Sequence, residues 1–131
     1  MTVTTFRDLR VLIGEDEQML AMDLAEQLSA LGAEVVGSAN TVSQLEALAA
    51  DGLGGANAVV LDIKLLDGPV FSVVPQLEKH GAAVVFCSGY QVQERPEELS
   101  HIQWLGKPAQ AEDIARALCQ AVDARRDYQI D

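Results

Sequence analysis

Short, continuous apolar runs alternate along the chain with stretches whose apolar residues recur every three or four positions. Arg10-Val11-Leu12-Ile13-Gly14 reads as a buried strand. Leu20, Leu24, Leu28 and Leu31 then recur at helical spacing, and Gly32 stands where a C-terminal cap belongs. Glu34 to Ser38 is a second strand. Thr41 with Gln44 forms a capping-box pattern ahead of Leu45 and Leu48, which predicts a second helix. Asp51 to Gly55 is a loop. Ala58-Val59-Val60-Leu61-Asp62 is a third strand, apolar throughout, as a strand covered on both faces should be. A third helix is predicted over Val70 to His80. Pro75 gives it a late start, because a mid-helix proline removes a hydrogen bond. Ala82 to Ser88 is a fourth strand. Tyr90 to His101 is weakly periodic, with one short helix opening at Pro96-Glu97-Glu98. Gln103-Trp104-Leu105 is a short fifth strand. Gln110 to Arg126 is the last helix, with Ile114, Leu118 and Val122 on one face. Its end carries Arg125 and Arg126, where the helix dipole favours cations.

Strand and helix alternating five times predict a parallel sheet with right-handed crossovers and helices on both faces. If the strand order is flavodoxin-like, 2-1-3-4-5, the chain is a (βα)5 three-layer sandwich with strands one, three, four and five side by side. Ligands of such sheets sit outside the carboxyl ends of the strands. Those ends carry Glu15-Asp16-Glu17, Asp62, Ser88 and Lys107-Pro108. In the expected order these groups converge. Several carboxylates in one crevice repel, so one takes up a proton or a cation neutralises them. Hard oxygen ligands without His or Cys favour Mg²⁺ (or Mn²⁺). Asp62 can then act as a nucleophile toward phosphorus, with Lys107 neutralising charge and Ser88 donating a hydrogen bond.

Composition narrows the classes. The chain has 131 residues, 49% of them hydrophobic, enough for one domain with a real core. Its net charge of −11 repels phosphate backbones and anionic lipid, so neither nucleic acid nor a membrane surface is an expected partner. Neither a signal-peptide pattern nor an apolar run of membrane-spanning length is present, and a cytoplasmic location is expected. Cys87 and Cys119 fall in a strand and a helix pattern, outside any zinc-type spacing, and read as buried thiols.

Glu15-Asp16, Leu61-Asp62-Ile63-Lys64, Phe86-Cys87-Ser88-Gly89-Tyr90 and Lys107-Pro108 occur in the order of a known family. The chain resembles a response-regulator receiver domain over nearly its whole length, about residues 9–124, and reads as one domain over 1–131 without an effector domain. The resemblance implies that Asp62 is the phosphoacceptor. It implies Asp16 as a direct metal ligand, Glu15 as a ligand acting mostly through water, and the Lys64 backbone carbonyl as a further ligand. Ser88 and Lys107 would engage the phosphoryl group, and Lys107–Pro108 would be a cis bond. Trp104 falls at the aromatic switch position, and Tyr90 borders the site.

A narrower resemblance is carried by Val84 to Tyr90, which is similar to the strand-four signature of the FAT GUY receivers. These are often stand-alone receivers of alphaproteobacteria, associated with HWE/HisKA2-type kinases. Cys87 and Ser88 depart from that signature, Pro75 and the loop Leu65 to Pro69 depart from the commoner receiver loop, and the short Ser88-to-Lys107 segment fits the subgroup's short or mobile fourth helix. The expected function is that of a stand-alone response regulator. It would take a phosphoryl group from a sensor histidine kinase or a histidine phosphotransfer protein, and dephosphorylate itself, without being an enzyme in the usual sense. A degenerate receiver serving as a phosphorylation-independent binding module is the alternative. Asp62 alone would read as a cap or loop residue; with Asp16 and Lys107 it reads as a site. For Trp104, switch and core packing both stay open. Glu17 reads as solvated, and His80 and His101 as surface residues.

Overall fold

The computed structural model describes residues 3–89 and 95–128. Five parallel strands form the sheet: β1 (Arg10–Gly14), β2 (Glu34–Ala39), β3 (Ala58–Leu61), β4 (Ala83–Ser88) and β5 (Trp104–Gly106). Their order is β2-β1-β3-β4-β5, that of a flavodoxin-like sheet. Among the described residues four α-helices flank them: α1 (Gln18–Ala30), α2 (Val42–Ala50), α3 (Val74–Lys79) and α4 (Ala111–Tyr128). A separate two-residue ribbon pairs Lys64–Leu65 with Gly68–Pro69, directly after β3.

The central strands are apolar on both sides because both sides are covered. On one face Leu12, Val59, Val84 and Phe86 pack under α2 and α3. On the other, Val11, Ile13, Val60 and Val85 pack under α1 and α4, together with Cys87 and Cys119. Both cysteines are buried free thiols. Phe86 is fully buried and makes edge contacts to Phe71 and Trp104, with ring centroids 5.8 and 5.7 Å away. The N-terminal segment is tied to the last helix by Thr4, whose amide and hydroxyl both donate to Asp123 Oδ1 at 2.9 and 2.6 Å.

Several local details differ from the sequence pattern. In α1 the buried positions are Ala21 and Leu28, whereas Leu20 is 43% exposed. At this end of the helix Ala21 takes the core-facing position, and Leu20 is exposed together with Met19 and Met22. Only half of the capping box at α2 forms. Thr41 Oγ1 accepts from the Gln44 amide at 3.0 Å, but the Gln44 side chain accepts from the Asn40 amide instead. The third helix does start late: a 3-10 turn at Phe71–Val73 precedes α3, and Pro75 falls in its first turn, where its missing N–H costs nothing. The short fourth helix is a 3-10 turn, Glu97–Leu99, anchored by buried Leu99 and Ile102. Arg95 closes this loop by donating to the Ile102 carbonyl. Residues 90–94 of that crossover, Tyr90 among them, lie outside the described residues.

Candidate functional site

The site begins with a glycine. A Cβ on Gly14 would stand 2.5 Å from Leu61 Cδ2, so a larger residue there would have to displace the Leu61 side chain at the ends of β1 and β3. The Asp62 amide donates to the Gly14 carbonyl at 2.9 Å, and the Glu15 amide to the Ala39 carbonyl at 3.0 Å. These two bonds continue the ladders one residue past the strands. They set Glu15 and Asp62 side by side at the carboxyl edge of the sheet.

On the far side, β4 and β5 pair Ser88 with Gly106, and the Lys107 amide donates to the Ser88 carbonyl at 3.0 Å. The Lys107–Pro108 bond is cis. Lys107 reaches back over the sheet edge, and its Nζ donates to Glu15 Oε1 at 2.5 Å and to Asp62 Oδ2 at 2.8 Å. Glu15 Oε2 accepts from the Glu17 amide at 3.0 Å. Glu17 itself points to solvent, as the sequence suggests.

Charge is unbalanced in this crevice. Carboxylate oxygens of Glu15, Asp16 and Asp62 all lie within 4.8 Å of one another, against one lysine. Glu15 and Asp62 are only 7% and 9% exposed. Burial pushes the Glu15 carboxyl above its ordinary value, and a hydrogen bond with Asp16 adds to this, while Lys107 opposes it. For Lys107, burial works against the cation, but the bonds to Asp62 and Glu15 outweigh it and hold the ammonium well above its usual value. The two partners of one ion pair therefore both move upward. The lysine has two carboxylates to itself, whereas Glu15 shares one cation and faces a second acid.

Asp62 Oδ1 is buried and makes no hydrogen bond. A buried carboxylate oxygen left without a partner is costly unless something outside the chain engages it. The donor set is three carboxylates without imidazole or thiolate, which suits a hard, oxygen-seeking divalent cation. The residues present therefore fit a Mg²⁺-type ion.

The fold thus brings together Glu15, Asp16, Asp62 and Lys107 from three different loops. Ser88 is fully buried at the end of β4. Lys64 stands two residues beyond Asp62 with its side chain exposed. Trp104 is partly exposed and packs its ring against Phe86. Tyr90 lies outside the described residues. Sequence reasoning missed two features around these strands. Burial pushes the Cys87 thiol above its ordinary value, with Lys107 opposing the shift and Asp62 and Glu15 adding to it. Asp67, in the loop after Asp62, accepts from the amides of Val42 and Ser43 at 2.6 and 3.1 Å and so caps α2. The only hint of this in the sequence is an acid next to Gly68-Pro69, which cannot name a helix 24 or 25 positions earlier as its target.

No protein-family model matches the chain. It is 30% identical over 122 residues to the transcriptional regulatory protein PdtaR of Mycobacterium tuberculosis, covering 90% of this chain. The chain spans 58% of the length of that relative. Among solved structures it is similar to SdrG from Sphingomonas melonis Fr1, at 31% identity and a TM-score of 0.69, covering 93% of this chain and 98% of that one. It is also similar to the receiver (REC) domain of the PhyR response regulator of Erythrobacter litoralis. That match has 26% identity and a TM-score of 0.69 and covers 88% of this chain and 90% of that one.

Proposed function

The chain belongs to the response-regulator receiver domains, and from that premise we propose that it accepts a phosphoryl group on Asp62 from a phosphohistidine donor. The observation that carries this reading is the state of Asp62. Its Oδ2 is held by Lys107, and its Oδ1 is buried without a hydrogen-bond partner in the cluster with Glu15 and Asp16. One oxygen is thus positioned and the other is left to react.

In the transfer, Asp62 Oδ1 forms a bond to phosphorus as the bond from phosphorus to the donor imidazole nitrogen breaks. The electron pair leaves with that nitrogen. Phosphoryl transfer depends on placement and charge neutralisation more than on acid–base work. Lys107 supplies fixed positive charge beside the acceptor, and Ser88 offers a hydroxyl to the phosphoryl oxygens. Glu15, Asp16 and Asp62, with the Lys64 carbonyl, would hold a divalent cation. When bound, that ion supplies the second positive charge that lets an anionic phosphoryl group approach three carboxylates. The product adds charge and strong acceptor oxygens at the end of β4, next to the Phe86–Trp104 contact. A shift of Ser88 toward the phosphoryl group is then felt at Trp104 and biases a two-state surface around β5 and α4.

This gives a two-component signalling role, with a sensor histidine kinase, HWE/HisKA2 type included, or a histidine phosphotransfer protein as the donor. The test is transfer from a ³²P-labelled histidine kinase with Mg²⁺. Wild type should gain base-labile label. Asp62→Asn should gain none while keeping the wild-type circular dichroism spectrum. Full labelling of that variant sinks the assignment.

A further inference from the structure

The fifth strand is shorter than the fourth, and the difference leaves part of the sheet edge open. β5 pairs only with Phe86, Cys87 and Ser88, whereas β3 pairs with β4 from Ala83 onward. Along a strand the backbone groups of successive residues turn to opposite neighbours. The Ala83 amide donates to the Asn57 carbonyl, on the β3 side, at 3.0 Å. The groups of Ala82, Val84 and Phe86 therefore lie on the other side. There the Ala82 amide donates to the Leu77 carbonyl at 3.1 Å, and the Phe86 amide to the Gln103 carbonyl at 2.9 Å. Between them, the amide and carbonyl of Val84 have no hydrogen-bond partner among the described residues, although Val84 is only 4% exposed. A buried backbone pair left open in this way is uncommon and costly.

Val84 lines a cavity of about 800 Å³. Among the described residues its wall comes from the start of β4, from the turn ahead of β5 and from the last turns of α4. Ala83, Ile102, Ala121 and Ala124 make much of that wall small and apolar. Glu78 and His101 also line it and bond to each other at 2.9 Å. Arg125 donates to the Glu78 carbonyl, but its buried Nε makes no hydrogen bond. The wall thus holds two donors and one acceptor without partners: Arg125 Nε–H, Val84 N–H and Val84 C=O. They arise independently, one from a side chain of α4 and two from the backbone of an uncovered strand.

Addition of another strand does not fit here, because Gln103 closes the edge after a single residue. A short ligand does fit. The N–H and C=O of one strand residue turn the same way, so their complement is an acceptor beside a donor on one edge. A lactam, with N–H and C=O held cis in a ring, has that edge. The wall carries one carboxylate, Glu78, against one guanidinium, Arg125, so it selects for no net charge. Apolar walls with a few placed polar groups, at this volume, are typical of small-ligand pockets. We propose that the pocket binds a small, planar, uncharged heterocycle with a lactam edge, the class of the oxo-purines and oxo-pyrimidines. The ring N–H donates to the Val84 carbonyl, the ring carbonyl accepts from the Val84 amide, and Arg125 Nε donates to a further ring acceptor. The site needs no phosphoryl chemistry at Asp62.

The test titrates hypoxanthine into the full chain, read by calorimetry and by NMR of the backbone amides. Wild type should bind with a Kd below ~1 mM, and the Val84 amide should move downfield. The lactam N-methyl derivative keeps the ring and loses the donor, so it should bind at least about tenfold more weakly. Ala124→Trp, at an exposed helix position, fills the hollow. It should weaken binding at least about tenfold while the circular dichroism spectrum stays that of wild type. Inosine that binds as tightly as hypoxanthine assigns nucleosides, and weaker inosine assigns the free base; either supports the site. A wild-type Kd above ~1 mM overturns the proposal. So does equal binding of the methylated ring, unchanged affinity in Ala124→Trp, or binding that leaves the Val84 amide unmoved.

Discussion

The two oxygens of Asp62 have different fates, and that difference is the chemistry of the crevice. Lys107 fixes one and leaves the other bare. Around them, three carboxylates compete for one ammonium. Such a cluster trades stability for reactivity. Asp16→Asn removes one of three repelling charges without touching the Lys107 bridges. It should raise the stability of the metal-free chain by about 1 kcal/mol, read as a shifted urea midpoint with unchanged slope. The same variant should lose the response of Trp104 fluorescence to Mg²⁺. Trp104 is the sole tryptophan of the chain, so the signal has one source. A variant that is destabilised, or that keeps the wild-type Mg²⁺ response, would argue that Asp16 does not belong to the cluster.

At the scale of the element, the loop after Asp62 does two things at once. It leaves β3 with the acceptor and then turns through the Lys64–Pro69 ribbon to cap a different helix with Asp67. Hydrogen bonds from the Val42 and Ser43 amides hold the Asp67 carboxyl below its ordinary value of 3.8. Its folded value is depressed, so its contribution is fully present above pH 3.8 and is lost as pH falls through the lowered value. Asp67→Ala should therefore melt several degrees below wild type at neutral pH, and the gap should close in strong acid. Thermal scans across that range check it. A gap that persists unchanged would assign the effect to packing.

Whole-molecule stability rests on two apolar layers pressed against one sheet, and Phe86 sits where the site meets one of them. Its ring is fully buried between Phe71 and Trp104. Phe86→Ala should cost roughly 3–5 kcal/mol, a large share of the 5–15 typical of a domain this size. It should also blunt any fluorescence change at Trp104 on adding beryllofluoride with Mg²⁺, because the ring is the contact between the end of β4 and the tryptophan. A destabilised variant that keeps the full optical response would show that the signal travels another way. The two ends of the sheet also differ at this scale, with an acidic crevice at the carboxyl edge and the largely apolar pocket beside the start of β4 at the amino edge. No helix among the described residues is long and apolar enough to cross a membrane.

The elements and their order were legible because hydrophobic period depends on local geometry. Continuous apolar runs such as Ala58 to Leu61 and the spacing of Ile114, Leu118 and Val122 have few readings, and alternation then implies a parallel sheet. The acidic pair, Asp62 and Lys107 were legible for the same reason: each closes or follows a strand, and strand ends converge. What distance along the chain hides, only tertiary structure decided. Leu20 and Leu28 carry the same side chain, yet one is exposed and the other lies in the core, where Ala21 takes the buried position beside Leu20. Lys107 could be read as a counter-charge, but not as a bridge between two carboxylates that leaves one Asp62 oxygen bare. The capping of α2 by Asp67 and the gathering of Val84 and Ile102 with Arg125 around one pocket join residues far apart in sequence. Sequence pattern encodes which face of an element is apolar, because that follows from its own period. It does not encode which polar groups from separate loops come to share one hollow, because that depends on the packed position of every layer between them.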